Sequence, residues 1–171
     1  MTVRVAMLVE SGFQDEEHVY AFYRMKEELW DVVVATPDGK DRFGKFGVPA
    51  RANTTIMSLK VDDFDAVVIP GGFESPDRLR LTDAPQFVRR MFQRHKLCAA
   101  ICHGPSVMIS AGIVIGRKVT GFAAIKDDLM NAGGEYQDAP VVVDGNLITS
   151  PHYRSNGSFM REVVKYFRVH P

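Results

Sequence analysis

Four short runs of apolar residues most constrain the fold: Val3–Val9, Asp31–Thr36, Asp65–Ile69 and Leu97–Ile101. Each is rich in Val, Ile or Ala and nearly continuous, with no polar residue at alternate positions, the pattern of a strand covered on both faces. Helix-like stretches lie between them. Val19, Phe22, Tyr23, Met25 and Leu29 recur at helical spacing, with Asp15 as the expected N-cap. Pro85–His95 places Phe87, Val88, Met91 and Phe92 on one side. Strands alternating with helices predict an α/β fold, a mostly parallel sheet with helices on both faces.

The rest of the chain is read more coarsely. Residues 39–57 are an excursion with one or two small strands. Lys118–Thr120 is a short strand, and Ile125–Ala132 a helix ended by Gly133-Gly134. Val141–Val143 and Leu147–Thr149 flank Asp144-Gly145-Asn146, a hairpin signal. Ser158–Val169 is an amphipathic helix. The 171 residues fit a single domain, 1–171, and 46% apolar residues suffice for its core. Lys+Arg and Asp+Glu both total 21, a balance that argues against nucleic-acid or anionic-membrane binding. No apolar run approaches the ~20 residues of a spanning helix. Met1-Thr2-Val3-Arg4 does not open a signal peptide, so a soluble, cytoplasmic protein is expected.

The two cysteines have different surroundings. Cys98 lies within an apolar run and reads as a small core residue. Cys102 closes that run, at the turn Cys102-His103-Gly104-Pro105, and a helix-like stretch from Ser106 follows. On one extended segment the two are separated by roughly 13 Å at about 3.3 Å per residue, too far for a disulfide. A thiol over a strand end and beside a helix start is placed to react. His103 could act as its base. The backbone N–H of His103, with Gly71 or Gly72 from Pro70-Gly71-Gly72, could hold an oxyanion. In open parallel sheets sites form outside the carboxyl ends of strands, where three turns meet: 10–17, 70–72 and 102–103. The candidate orienting carboxylates there are Glu10, Glu16, Glu17, Glu74 and Asp77, and spacing does not choose among them. The five histidines show no ligand spacing, so no metal or other cofactor is expected. Met108 stands where a Cys-x₅-Arg phosphatase loop needs Arg.

Taken in order, Gly12-Phe13-Gln14-Asp15-Glu16-Glu17, Val68-Ile69-Pro70-Gly71-Gly72, Ala100-Ile101-Cys102-His103-Gly104-Pro105, Ile125–Gly133 and Val141–Asn146 resemble the PfpI-type intracellular proteases of the ThiJ/PfpI superfamily. The resemblance implies a flavodoxin-like three-layer sandwich with a cysteine at a nucleophile elbow. It implies Cys102 as nucleophile, His103 as its partner, Glu17 as the carboxyl group against the sulfur, and Gly72 and His103 as backbone oxyanion donors. It further implies a homo-oligomer, dimer or hexamer, in which Asp77 reaches the site across an interface. The family activities it brings are peptide hydrolysis, glyoxalase III-type conversion of methylglyoxal, and deglycase repair of early dicarbonyl adducts, in stress protection. Substrates would be small carbonyl compounds or peptides. A non-enzymatic redox sensor or stress chaperone is the alternative. A class I amidotransferase lacks its distal His-x-Glu here, since His152-Tyr153-Arg154 has no Glu. Two departures stand out: Thr120–Ala124 has no histidine, in keeping with the PfpI branch, and Pro151-His152 replaces the usual Arg-x after Ser150.

Overall fold

The computed structural model describes residues 2–170. Its elements in chain order are β1 (Arg4–Leu8), α1 (Asp15–Glu27), β2 (Asp31–Thr36), β3 (Arg42–Phe43), β4 (Pro49–Ala50), β5 (Thr54–Thr55), β6 (Ala66–Ile69), α2 (Glu74–Leu79), α3 (Ala84–Gln93), β7 (Leu97–Ile101), α4 (Pro105–Ala111), β8 (Lys118–Val119), α5 (Lys126–Asn131), β9 (Glu135–Tyr136), β10 (Val142–Asp144), β11 (Leu147–Ser150) and α6 (Asn156–Val169). Seven strands form one sheet in the order β10-β11-β7-β6-β1-β2-β5. Its pairings are parallel except β10 with β11, the hairpin over Asp144-Gly145-Asn146.

The strands have apolar side chains at consecutive positions because both faces are covered. Val5 and Met7 pack toward Ala21 and Met25 of α1 and Phe159, Met160, Val163 and Val164 of α6. Ala6 and Leu8 point the other way, into Phe87, Val88 and Met91 of α3 and Val107 and Met108 of α4. The period-two pleat thus divides one apolar run between two cores. Each large aliphatic side chain so buried contributes about 1.5–3 kcal/mol before the entropy of ordering it. These layers are the α/β sandwich expected, with the cysteine-bearing β7 near the middle of the sheet.

Several elements differ from the sequence reading. The 39–57 excursion holds three short strands: β3 and β4 pair with each other, while β5 joins the main sheet beside β2. The short strand at 118 lies outside the main sheet, parallel to β9. Thr120 is not in it, and its N–H goes instead to Thr149 Oγ1 at 2.9 Å. Asp15 is not the cap of α1 but its first residue, Gln14 holding the cap position. Its carboxylate is occupied elsewhere, accepting the N–H groups of Phe46 and Val48 at 2.9 Å each. A segment 31 to 33 positions away is thereby pinned to the start of the helix.

Candidate active site

Chain geometry at the end of β7 presents the cysteine. Cys102 has φ +62°, in the left-handed region, where a non-glycine residue carries strain of roughly 1–3 kcal/mol. Its neighbours hold it there. Cys102 N–H donates to Ser150 O at 2.9 Å, and Cys102 O accepts from Phe122 N at 2.8 Å. The turn closes with Gly104 N–H on Ile101 O at 2.8 Å. Gly104 is required: a Cβ there would lie 2.6 Å from Ile69 O and 2.8 Å from Ile101 O. Pro105 then opens α4, where its fixed φ suits the first helical turn.

The backbone amides of Gly72 and His103 lie near enough to the Cys102 sulfur to favour its anion. Gly71 N–H donates instead to Glu17 Oε2 at 2.7 Å. This close approach needs glycine, since a Cβ on Gly71 would stand 2.5 Å from Cys102 Cβ and 2.6 Å from Glu17 Oε2. Glu17 is fully buried. Its other oxygen, Oε1, is enclosed without a well-formed hydrogen bond, and Cys102 is its polar neighbour.

Burial, opposed by the Gly71 N–H, pushes the Glu17 carboxyl up to about 7. Burial also pushes the Cys102 thiol up to about 12, with the adjacent Glu17 carboxylate adding to it and the two amides pulling it down. Carboxyl and thiol therefore titrate as a pair that tolerates one negative charge. With Glu17 ionised, repulsion keeps the thiol protonated. With Glu17 protonated, that repulsion is gone, and the amides and a carboxyl O–H favour the thiolate. From the sequence, the strand end, the helix start, His103 and a protonated Glu17 all favour the anion; burial, visible only in the fold, opposes them, and ionisation turns on where the pair keeps its proton.

His103 places Nδ1 3.3 Å from the sulfur. Its ring stacks on Phe122 at 4.7 Å and meets Phe73 edge-on at 5.7 Å. Burial lowers its pKa, so the imidazole is neutral at pH 7 and able to accept a proton. Nε2 makes no hydrogen bond among the described residues. Of the five candidate carboxylates, Glu17 alone lies against the sulfur. Glu10 is held by Arg42, with Oε2 accepting at 3.1 Å, and by Ser11 N–H. Glu16 accepts from Gln14 Nε2 at 2.6 Å, and Glu74 pairs with Arg78 at 3.1 Å at the cavity mouth. Asp77 is exposed on α2 and has no hydrogen bond to His103 of the same chain.

Cys102 opens into a cavity of about 690 Å³. Its rim is aromatic, with Phe46 and Phe73 both about 70% exposed (69% and 71%). Phe122, His152 and Tyr153 complete it. His152, one of the two residues of the Pro151-His152 departure, stacks over Phe122 at 6.0 Å and lies tilted against Tyr153 at 4.0 Å. The sequence reading missed this rim. The available signals were Phe73 directly after Gly71-Gly72 and Phe122 in the histidine-free segment. Among the described residues no group of three or more His, Cys, Asp or Glu side chains is gathered for a metal ion. No helix among them is long and apolar enough to cross a membrane.

A buried parallel strand that ends in a left-handed cysteine, beneath two amides and beside a carboxyl group, defines an elbow-cysteine protein of the α/β sandwich class. The DJ-1/PfpI family model matches residues 3–166, and the chain belongs to that family. It is 41% identical over 167 residues to the Pyrococcus horikoshii protein named deglycase PH1704, covering 97% of this chain and 100% of that one. It is 38% identical to YraA of Bacillus subtilis, a protein named as a proposed cysteine protease, over 98% of this chain and 100% of that one. Among solved structures, the chain superposes with TM-score 0.94 and 37% identity on a two-domain Anabaena variabilis protein with DJ-1/ThiJ/PfpI-like and ferritin-like domains. That match covers 97% of this chain and 48% of the other. Drosophila melanogaster DJ-1beta superposes with TM-score 0.89 at 26% identity, over 95% of this chain and 89% of that one.

Proposed function

We propose that this protein is a cysteine-dependent enzyme acting on carbonyl carbon, with small α-dicarbonyls, or the early adducts they leave on proteins, as substrates. The observation that carries this reading is Cys102 itself. It is strained into the left-handed region, two backbone amides near its sulfur favour the anion, a neutral imidazole lies 3.3 Å away, and a small cavity opens above it. The deglycase name of the Pyrococcus relative agrees with it. Peptide hydrolysis, suggested by the YraA name, would use the same attack on an acyl carbon.

The chemistry follows from the groups present. The Cys102 thiolate adds to the aldehyde carbon, the C=O pair moves to oxygen, and the oxyanion lies at the Gly72 and His103 amides. His103 removes the proton from that carbon and delivers one to the neighbouring carbon. The product is a 2-hydroxy thioester, which water hydrolyses to the 2-hydroxy acid and the free thiol. Methylglyoxal plus water thus gives lactate with no net oxidation. In this reading His103 is oriented by Asp77 of a second copy, since Nε2 is free and the protomer's own Asp77 does not reach it. The protein would work as a homo-oligomer in the cytoplasm, in protection against carbonyl stress.

Methylglyoxal turnover by wild type and Cys102→Ala tests the enzyme reading: equal rates overturn it. Mixing Cys102→Ala with Asp77→Ala protomers under exchange conditions tests the shared site. Partial recovery of activity is expected, and no recovery despite demonstrated exchange overturns it. A sensor reading draws on Glu17 Oε1, which is free to bond an oxidised sulfur. Selective Cys102 oxidation by dilute peroxide in a protein without turnover, followed by mass spectrometry, would favour it.

A further inference from the structure

A second cavity, of about 550 Å³, lies between α1, β2 and residues 48–53 and shares no lining residue with the Cys102 cavity. His18 lines it, 5% exposed. Its Nδ1 is enclosed with no hydrogen-bond partner. Nε2 makes no hydrogen bond among the described residues either and, unlike Nδ1, is not enclosed. Burial pushes this ring down to about 4, so it is a neutral imidazole at pH 7. The enclosed Nδ1 costs about 1–3 kcal/mol whether or not the cavity is filled; Nε2, the accessible nitrogen, is the one a ligand could meet.

The walls indicate what that is. Phe22 and Tyr23 meet edge to face at 5.3 Å and supply an aromatic side. The free polar groups are donors. Lys26 has no ion pair among the described residues. Arg51 uses one nitrogen on Asp41 and has others to spare. Asn53 commits its Oδ1 to Val34 N–H at 2.8 Å, leaving its NH₂. Asp31, the one carboxylate of the lining, already pairs with Arg4 at 2.8 Å. Donors without acceptors beside aromatic rings fit an acceptor-rich, planar anion, and the volume falls in the range of small-molecule sites.

We infer that this cavity binds a small aromatic carboxylate, its ring against Phe22 and Tyr23, its carboxylate among Lys26, Arg51 and Asn53, and its edge hydrogen-bonded to His18. The probe is 2-naphthoate, titrated into the full chain and followed by amide chemical shifts and calorimetry. The expected result is saturable binding with Kd below about 1 mM, with shifts on α1 and residues 48–53. Uncharged 2-naphthamide and the exposed-site variant Lys26→Gln should each weaken binding by about tenfold, the weight of one charge-assisted contact. His18→Phe should weaken it too, while Cys102→Ala binds like wild type. Absence of saturation, equal affinity for the amide, or shifts confined to Phe73, Phe122 and their neighbours would each overturn the site. A second copy covering this face would exclude the probe and give the first of those results.

Discussion

Cys98 and Cys102 belong to the same stretch of chain, four positions apart, yet they occupy different chemical worlds. Cys98 is fully buried within β7, its sulfur 3.8 Å from Val88 O, and burial alone raises its pKa far above that of a free thiol. Cys102 is also raised by burial, but two amides and a carboxyl group meet its sulfur, and a cavity opens over it. The strand makes both thiols weak acids. The turn gives one of them partners and access. The difference between them lies in the backbone after the strand, not in the residue type.

The comparison breaks most visibly under alkylation and turnover. Iodoacetamide should label native Cys102 at least about 10³-fold faster than Cys98, which is reached only through opening of the core. Cys102→Ser should lower turnover by about 10³-fold or more, as loss of a nucleophile does, while Cys98→Ser stays within about twofold. Peptide mapping and methylglyoxal kinetics read these. Comparable labelling of both thiols would erase the distinction.

Gly71→Ala is the next largest. Its Cβ would collide with Cys102 and Glu17 together, so turnover should fall about 100-fold with a stability loss of about 2 kcal/mol or more. Denaturant unfolding measures the latter.

Glu17→Gln sharpens the contrast by removing the coupled proton. Alkylation of Cys102 should then follow a single titration instead of two. Stability gives a second reading with a definite sign. The unfolded carboxyl ionises above 4.5, whereas the folded one holds its proton to about 7. Wild type therefore loses stability as pH rises from 4.5 to 7, by about 3 kcal/mol in all at 1.36 kcal/mol per unit. The Gln variant should lack that fall. An unchanged pH dependence of unfolding would show that Glu17 titrates normally.

The smallest effect belongs to the core. Cys98→Ala should cost about 1–2 kcal/mol of stability through its cavity and leave kcat/KM unchanged.

The parts legible in the sequence were those with local causes. β2 and β7 fall on the residues expected because strands buried on both faces are continuous apolar runs ending at polar or turn residues. Helix ends were less legible. The chain leaves α1 and α3 through Leu29 (φ +60°) and His95 (φ +55°), where no glycine marks the stop. The six residues of α2 bury one large side chain, Leu79, and have no period to read. In the site, Cys102, His103 and Gly71-Gly72 were legible because each follows a strand end directly. Spacing left Glu17 one of five carboxylates; only the family resemblance singled it out, and the fold sets it beside the sulfur. The aromatic rim depends on contacts between distant segments, which spacing does not encode.

Asp15 and Glu17 share the first turn of α1. One carboxylate anchors the amides of the loop that carries Phe46; the other lies beside the Cys102 sulfur. The loop at the cavity mouth and the carboxyl group beside the thiol are thus fastened to the same helical turn, two residues apart.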